Sequence, residues 1–110
     1  MDVCVLMKKI AEIPFLLKIC GARQYFARLK FSMGKKQSSY RQADWMNTNR
    51  LLWRRGYLGG KTGQTQGAGN CLANIYEEQG KKYFIVVLGC YGREDRFRDT
   101  ERLVEKYVMK

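Results

Sequence analysis

Lys61, Thr62 and Gly63 stand together inside GYLGGKTGQTQGAG, residues 56–69, a stretch with six glycines and no acidic group. These residue types in a row suit one kind of chemistry. A lysine ammonium attracts a carboxylate or helps to move a proton. A hydroxyl beside it hydrogen-bonds the same carboxylate. A glycine, having no Cβ, lets a ligand lie against the backbone. The competing reading is a phosphate loop, G-x-x-x-x-G-K-[ST], and the residue count excludes it. Gly60-Lys61-Thr62 matches the end of that loop, but its first glycine would fall on Arg55, one residue before Gly56. A phosphate loop also runs into a helix, and Gly63, Gly67 and Gly69 are poor helix material.

Metal chemistry has little to work with. The four cysteines, at 4, 20, 71 and 90, form no C-x-x-C, and the chain has no histidine, so a zinc site is not expected. The cysteines read as four free, mostly buried thiols, which suits a reducing compartment. Two disulfides remain an open alternative.

The charge is strongly basic: 21 Lys and Arg against 10 Asp and Glu, a formal +11 in 110 residues. That balance favours anionic partners. The basic residues are dispersed and no run exceeds two, as at Arg54-Arg55 and Lys81-Lys82. A scattered charge reads as a solvated surface, so any nucleic-acid contact is expected to be nonspecific. No secretion signal is expected, because Asp2 stands where a basic region should be and Lys8-Lys9 cut the apolar run. No stretch is long and apolar enough for a membrane span.

The elements that must position Lys61 follow from periodicity. Val3, Leu6, Met7 and Ile10 recur at helical spacing over residues 2–13, with Asp2 as a cap. Pro14 ends that helix or opens a short second one over 15–20, closed by Gly21. Residues 24–31 alternate as a strand, with Tyr25, Ala27, Leu29 and Phe31 on one face. Residues 32–41 read as a loop or turn around Gly34, and 43–53 as irregular. Cys71 to Glu77 alternates; Gly80-Lys81-Lys82 is a turn; Tyr83 to Leu88 is almost wholly apolar, as a central buried strand should be. Residues 94–109 form a helix with Phe97, Thr100, Val104 and Val108 in one stripe, Leu103 and Tyr107 beside it, and pairs Glu94–Arg98 and Asp99–Arg102. The fold class is α+β, an antiparallel sheet with N- and C-terminal helices packed on it, in one domain over 1–110.

The stretch from Asn47 to Tyr107 resembles the serine-type D-alanyl-D-alanine carboxypeptidases, the low-molecular-mass penicillin-binding proteins. Their pattern is N-x-N-x-L-L, then G-x-K-T-G-x-T-x-x-A-G-x-C-L, a hairpin, V-V-L-G, and a helix opened by R-x-x-R-F-x-D. This chain has Asn47, Asn49, Leu51-Leu52, Gly59, Lys61-Thr62-Gly63, Thr65, Ala68-Gly69, Cys71-Leu72, Val86-Val87-Leu88-Gly89, Arg93, Arg96-Phe97 and Asp99 in register. Over residues 2–46 the resemblance is weaker. It implies a partial β-lactamase/transpeptidase-like fold, with Lys61, Thr62 and Gly63 on the strand that walls the catalytic cleft. The Gln64 backbone N–H sits where the family draws half of its oxyanion hole. Thr65 matches the hydroxyl residue that follows. Turn chemistry is the alternative for Gln64 and Thr65.

The resemblance implies no cofactor. It implies a substrate peptide ending in D-Ala-D-Ala, and a C-terminal portion of the domain, with the S-x-x-K nucleophile and the S-x-N motif lying upstream. A literal Ser32-Met33-Gly34-Lys35 does occur, but in a polar glycine-containing segment and with no S-x-N after it, so Ser32 is not expected to be a nucleophile. The chain is then a fragment, one part of a split enzyme, or a non-catalytic subunit of a larger assembly. In each case a missing half or a partner chain covers an exposed sheet face. The family works outside the cytoplasm, the thiols suit a reducing compartment, and localisation stays open.

Overall fold

The computed structural model describes residues 2–32, 34 and 37–109. Helix α1 (Asp2–Glu12) and helix α2 (Pro14–Cys20) open the chain. Pro14 takes the first helical turn of α2, where its missing N–H costs nothing. Strands β1 (Gln24–Ser32) and β2 (Ser38–Met46) form a two-stranded antiparallel ribbon, pairing Gln24 with Met46 at one end and Ser32 with Ser38 at the other. A 3-10 turn (Arg50–Trp53) leads into β3 (Tyr57–Thr65), β4 (Gly69–Glu78) and β5 (Lys81–Cys90), an antiparallel sheet in the order β3-β4-β5. Helix α3 (Asp95–Tyr107) closes the described chain.

This is the expected α+β class, with two differences in the strands. The loop expected over 32–41 and the irregular stretch over 43–53 contain β2. Its residues alternate Ser39, Arg41, Ala43, Trp45 against Tyr40, Gln42, Asp44, Met46, a pattern with no clear apolar face until β1 is laid beside it. Of the literal S-x-x-K, Met33 and Lys35 lie outside the described residues, and Ser32 sits at the end of the ribbon away from Met46. The second difference concerns the central strand. It is β4, buried on both faces, not the apolar 83–88 run: β5 lies at an edge, and Leu88 is exposed. Apolar content marked a strand but not its place in the sheet.

The two faces of β4 explain its position. On one, Ala73 and Ile75 pack with Met7 of α1, supported by Ile10, Leu17, Leu58, Phe84 and Val86. Val3 and Leu6, placed on the same helical stripe by periodicity, are exposed. On the other face, Leu72 packs with Leu51 and Phe97, and Tyr76 with Ile85 and Val104. The expected α3 stripe is thus buried at Phe97, Thr100 and Val104, while Leu103 and Tyr107 reach solvent. Asp99 pairs with Arg102 as expected. Arg98 turns instead to Asp95, because Glu94 is taken by Arg50. The β4–β5 turn is Gln79-Gly80 rather than 80–82, with φ of 50° and 80°. Positive φ at both positions matches the right-handed strand twist, and it lets Lys81 and Lys82 join the ladder opposite Glu78 and Glu77.

Candidate active site

Lys61, Thr62 and Gly63 lie in β3, at the edge of the sheet. Segment 47–49 is pinned close beside them by its two asparagines. Asn47 Nδ2 donates to the carbonyls of Ala22 (2.9 Å) and Cys20 (3.3 Å), and its Oδ1 accepts from the Asn49 N–H (2.9 Å). Asn49, fully buried, donates through Nδ2 to Asn74 Oδ1 at 2.6 Å and accepts from the Leu51 N–H. Gly60 makes this approach possible. A Cβ there would stand 2.2 Å from the Ala73 carbonyl oxygen and 2.9 Å from Asn49 Nδ2.

Between the two asparagines, Thr48 meets the triad. Its Oγ1 lies 2.5 Å from Thr62 Oγ1, and Thr62 is 8% exposed. Lys61 is an exposed residue, and its ammonium donates to the Thr62 carbonyl at 2.5 Å. From the first turn of α3, Arg96 reaches over with Nη1 3.5 Å from the Gly63 carbonyl oxygen. Arg96 is only 6% exposed, and its Nε has no partner among the described residues. Its guanidinium lies 5.0 Å from the Phe97 ring centre, and that of Arg50 lies 5.6 Å from the same ring.

These groups line one cleft of about 550 Å³ that takes in Lys61, Thr62, Gly63 and Gln64, with Thr48, Arg50, Arg93 and Arg96 around them. Thr65 is not among its lining residues. The Thr65 hydroxyl accepts from the Ala68 N–H at 3.0 Å, closing the turn into β4. A larger hollow of about 810 Å³, beside Tyr57 and Tyr76, lies away from the triad and holds none of its residues. Thr48 was missed in the sequence, since a threonine between two asparagines carries no signal of its own. Arg93 and Arg96 were recognised as pattern matches without a role. The available signal was an arginine beside Phe97 on the stripe that α3 buries.

A family profile described as D-alanyl-D-alanine carboxypeptidase matches residues 16–92, more than half of the chain. The chain belongs to the D-alanyl-D-alanine carboxypeptidase family. Among solved structures it is similar to penicillin-binding protein D2 of Listeria monocytogenes in its cefotaxime-bound form, at 32% identity and a TM-score of 0.67, over 89% of this chain and 35% of that one. It is similar to a mutant of a Streptomyces DD-transpeptidase at 25% identity and a TM-score of 0.59, over 77% of this chain and 34% of that one. A D-alanyl-D-alanine carboxypeptidase from Mycobacterium tuberculosis shares the fold at 19% identity and a TM-score of 0.70, over 96% of this chain and 38% of that one. Comparison with curated proteins gives no match. The chain spans about a third of the length of the solved structures it matches. No helix among the described residues is long and apolar enough to cross a membrane.

The arrangement can hold a carboxylate. Lys61 and Arg96 both bring positive charge to the cleft that the Thr62 side chain also lines. Arg96 is preorganised for an oxyanion: its fork is buried, which strengthens electrostatic attraction.

Proposed function

We propose that this chain forms the triad wall of a D-Ala-D-Ala carboxypeptidase cleft, and that the reacting serine is supplied by other residues. The supporting observation is a cleft with one side furnished. It offers Lys61, Thr62 and Arg96 for a substrate's terminal carboxylate and Gln64 beside them, yet among the described residues no serine lines it. Ser32 is no substitute. Eight residues of ribbon separate the Gln24–Met46 end from Ser32, about 26 Å at strand rise, and it is Met46 that lines the cleft.

In this reading Lys61 attracts the substrate carboxylate or moves a proton, Thr62 hydrogen-bonds that carboxylate, Gly63 lets the peptide approach, and the Gln64 N–H contributes to an oxyanion hole. Thr65 shapes the turn that ends β3. The remainder comes from a longer polypeptide or a second chain. The outer edge of β5 supports this, being apolar from Phe84 to Leu88 and paired with no strand among the described residues. Open apolar edges attract another strand.

The chain alone then has no acylation step. Incubation with a fluorescent penicillin, followed by a denaturing gel, tests this. No covalent band is expected. A band that disappears in Ser32→Ala would return the nucleophile to this chain and overturn the proposal.

A further inference from the structure

Strands β1 and β2 stand clear of the rest of the molecule. Beyond isolated contacts they pack on each other, and no residue of either strand is buried. The ribbon is tied to the body at its base, where Arg23 Nε donates to the Leu52 carbonyl and the Asn47 N–H to the Arg23 carbonyl. A two-stranded ribbon standing in water is marginally stable, so a surface that covers this one also steadies it.

Six large apolar side chains of the ribbon are exposed: Tyr25, Phe26, Phe31, Tyr40, Trp45 and Met46. The register divides them evenly, Tyr25, Phe31 and Trp45 on one face and Phe26, Tyr40 and Met46 on the other. Each face also carries an arginine laid on a ring. Arg41 lies 5.6 Å from the Phe31 ring centre on the first face, and Arg28 lies 4.1 Å from that of Tyr40 on the second. The one acidic residue of the two strands, Asp44, lies toward the base and accepts from Gln24 Nε2 at 2.7 Å.

These features choose between occupants. A second copy is repelled, since each chain carries a formal +11. A folded protein covers one face and leaves the aromatic side chains of the other in water. A single-stranded nucleic acid needs open ring faces for stacking, and a guanidinium already covers one face of Tyr40 and one of Phe31. A lipid–water interface takes both faces of a thin ribbon at once. Aromatic rings enter the headgroup layer, and arginine stems lie along apolar surface while their heads reach the phosphates. The free strand edges keep their water at that depth; in the hydrocarbon they would go unpaired.

We propose that the β1–β2 ribbon is a peripheral docking element for an anionic lipid surface, with Phe26 and Trp45 entering from opposite faces and Arg28 and Arg41 meeting the headgroups. Met46 both ends the ribbon and lines the cleft, so a surface that holds the ribbon keeps the cleft beside it. The contact is independent of what the cleft binds.

The test uses the 110-residue chain and vesicles of phosphatidylcholine, alone or mixed with phosphatidylglycerol, followed by co-sedimentation in low salt. Binding to the mixed vesicles and not to the neutral ones is expected. In a Trp53→Phe background, Trp45 fluorescence is expected to shift to the blue on binding. Arg28→Gln/Arg41→Gln is expected to weaken binding about thirtyfold, and Phe26→Ala/Trp45→Ala about tenfold. Lys8→Gln/Lys81→Gln, which removes the same charge elsewhere on the surface, is expected to weaken it by less than about threefold. All these side chains are exposed, so the variants are expected to melt with the unaltered chain, and either ribbon pair decides if the other fails to fold. No binding to mixed vesicles, equal binding to both kinds, or an equal loss in Lys8→Gln/Lys81→Gln overturns the proposal. So does an oligonucleotide complex, or a dimer seen by light scattering, that the ribbon variants abolish while the vesicles stay unbound.

Discussion

The hydroxyls of Thr48 and Thr62 lie 2.5 Å apart, one from the segment between Asn47 and the buried Asn49 and the other from the triad strand. A hydroxyl has one proton to give. If Thr48 donates to Thr62, the Thr62 proton is free to point at a ligand. The contact therefore both fixes segment 47–49 against β3 and orients the central triad residue. Thr48→Ala leaves a buried Thr62 hydroxyl without its partner, and about 1 kcal/mol of stability is expected to be lost. Thr48→Ser is expected to restore most of it. Urea melting curves check this, and equal midpoints for the unaltered chain and Thr48→Ala would mean the contact does not hold the segment.

Two glycines of β3 are expected to respond in opposite ways. A Cβ on Gly60 collides with the Ala73 carbonyl and with both Asn74 and Asn49, whereas one on Gly63 meets nothing within 4 Å. Gly60→Ala is expected to cost at least about 2 kcal/mol through overpacking against backbone. Gly63→Ala is expected to change stability by less than about 0.5 kcal/mol, since neither space nor backbone conformation opposes it. A thermal melt of each variant decides; a large loss in Gly63→Ala would make that glycine structural rather than a clearance for ligand.

Alkaline stability is expected to depend on Tyr57. Burial first, then the Glu101 carboxylate and Tyr76, push its hydroxyl from 10.0 up to about 12. The folded state thus keeps a proton that the unfolded chain releases above pH 10. This contribution is fully present below pH 10 and is lost as pH rises toward 12. Tyr57→Phe removes it, so the melting temperatures of the two proteins should converge or cross between pH 9 and 11.5, with the variant declining less. Parallel curves over that range would contradict the assigned cause.

The Cys90 thiol is raised by burial and by Asp99, whose carboxylate it faces at 3.7 Å. Asp99→Asn removes the negative charge and is expected to speed alkylation of Cys90 at pH 8, because the thiolate is the reacting form. Mass-spectrometric time courses with iodoacetamide give the rate, and an unchanged or slower rate would set this coupling aside.

The sequence made the long-range frame of the site visible only in part. The triad and its strand were legible because Lys61-Thr62-Gly63 sits in a patterned neighbourhood. The buried stripe of α3 was legible because Phe97, Thr100 and Val104 repeat at helical spacing. Strand β2 was not, since Ser38 to Met46 has mixed polarity on both faces and takes its register from β1. The edge position of β5 was not, since an apolar run says that a strand is covered without saying by what. Thr48 and Arg96 were hidden for a related reason: each acts through a neighbour far away in the chain, Thr62 at 14 positions and Gly63 at 33. The four thiols, expected to be mostly buried, are only partly so.

The most direct measurement of the central claim joins this chain to a complete cleft. Residues of this chain replace the matching third of the Listeria penicillin-binding protein D2, to which 89% of it aligns, and acylation by a fluorescent penicillin is followed on a gel. The chimera is expected to be labelled, and the isolated chain is not. Lys61→Met is expected to leave the melting temperature of the isolated chain almost unchanged, within about 0.5 kcal/mol for an exposed side chain, and to abolish labelling of the folded chimera. A folded chimera that takes no label, or one labelled as well with Met as with Lys at position 61, would contradict the account and leave the triad as a feature of the fold alone.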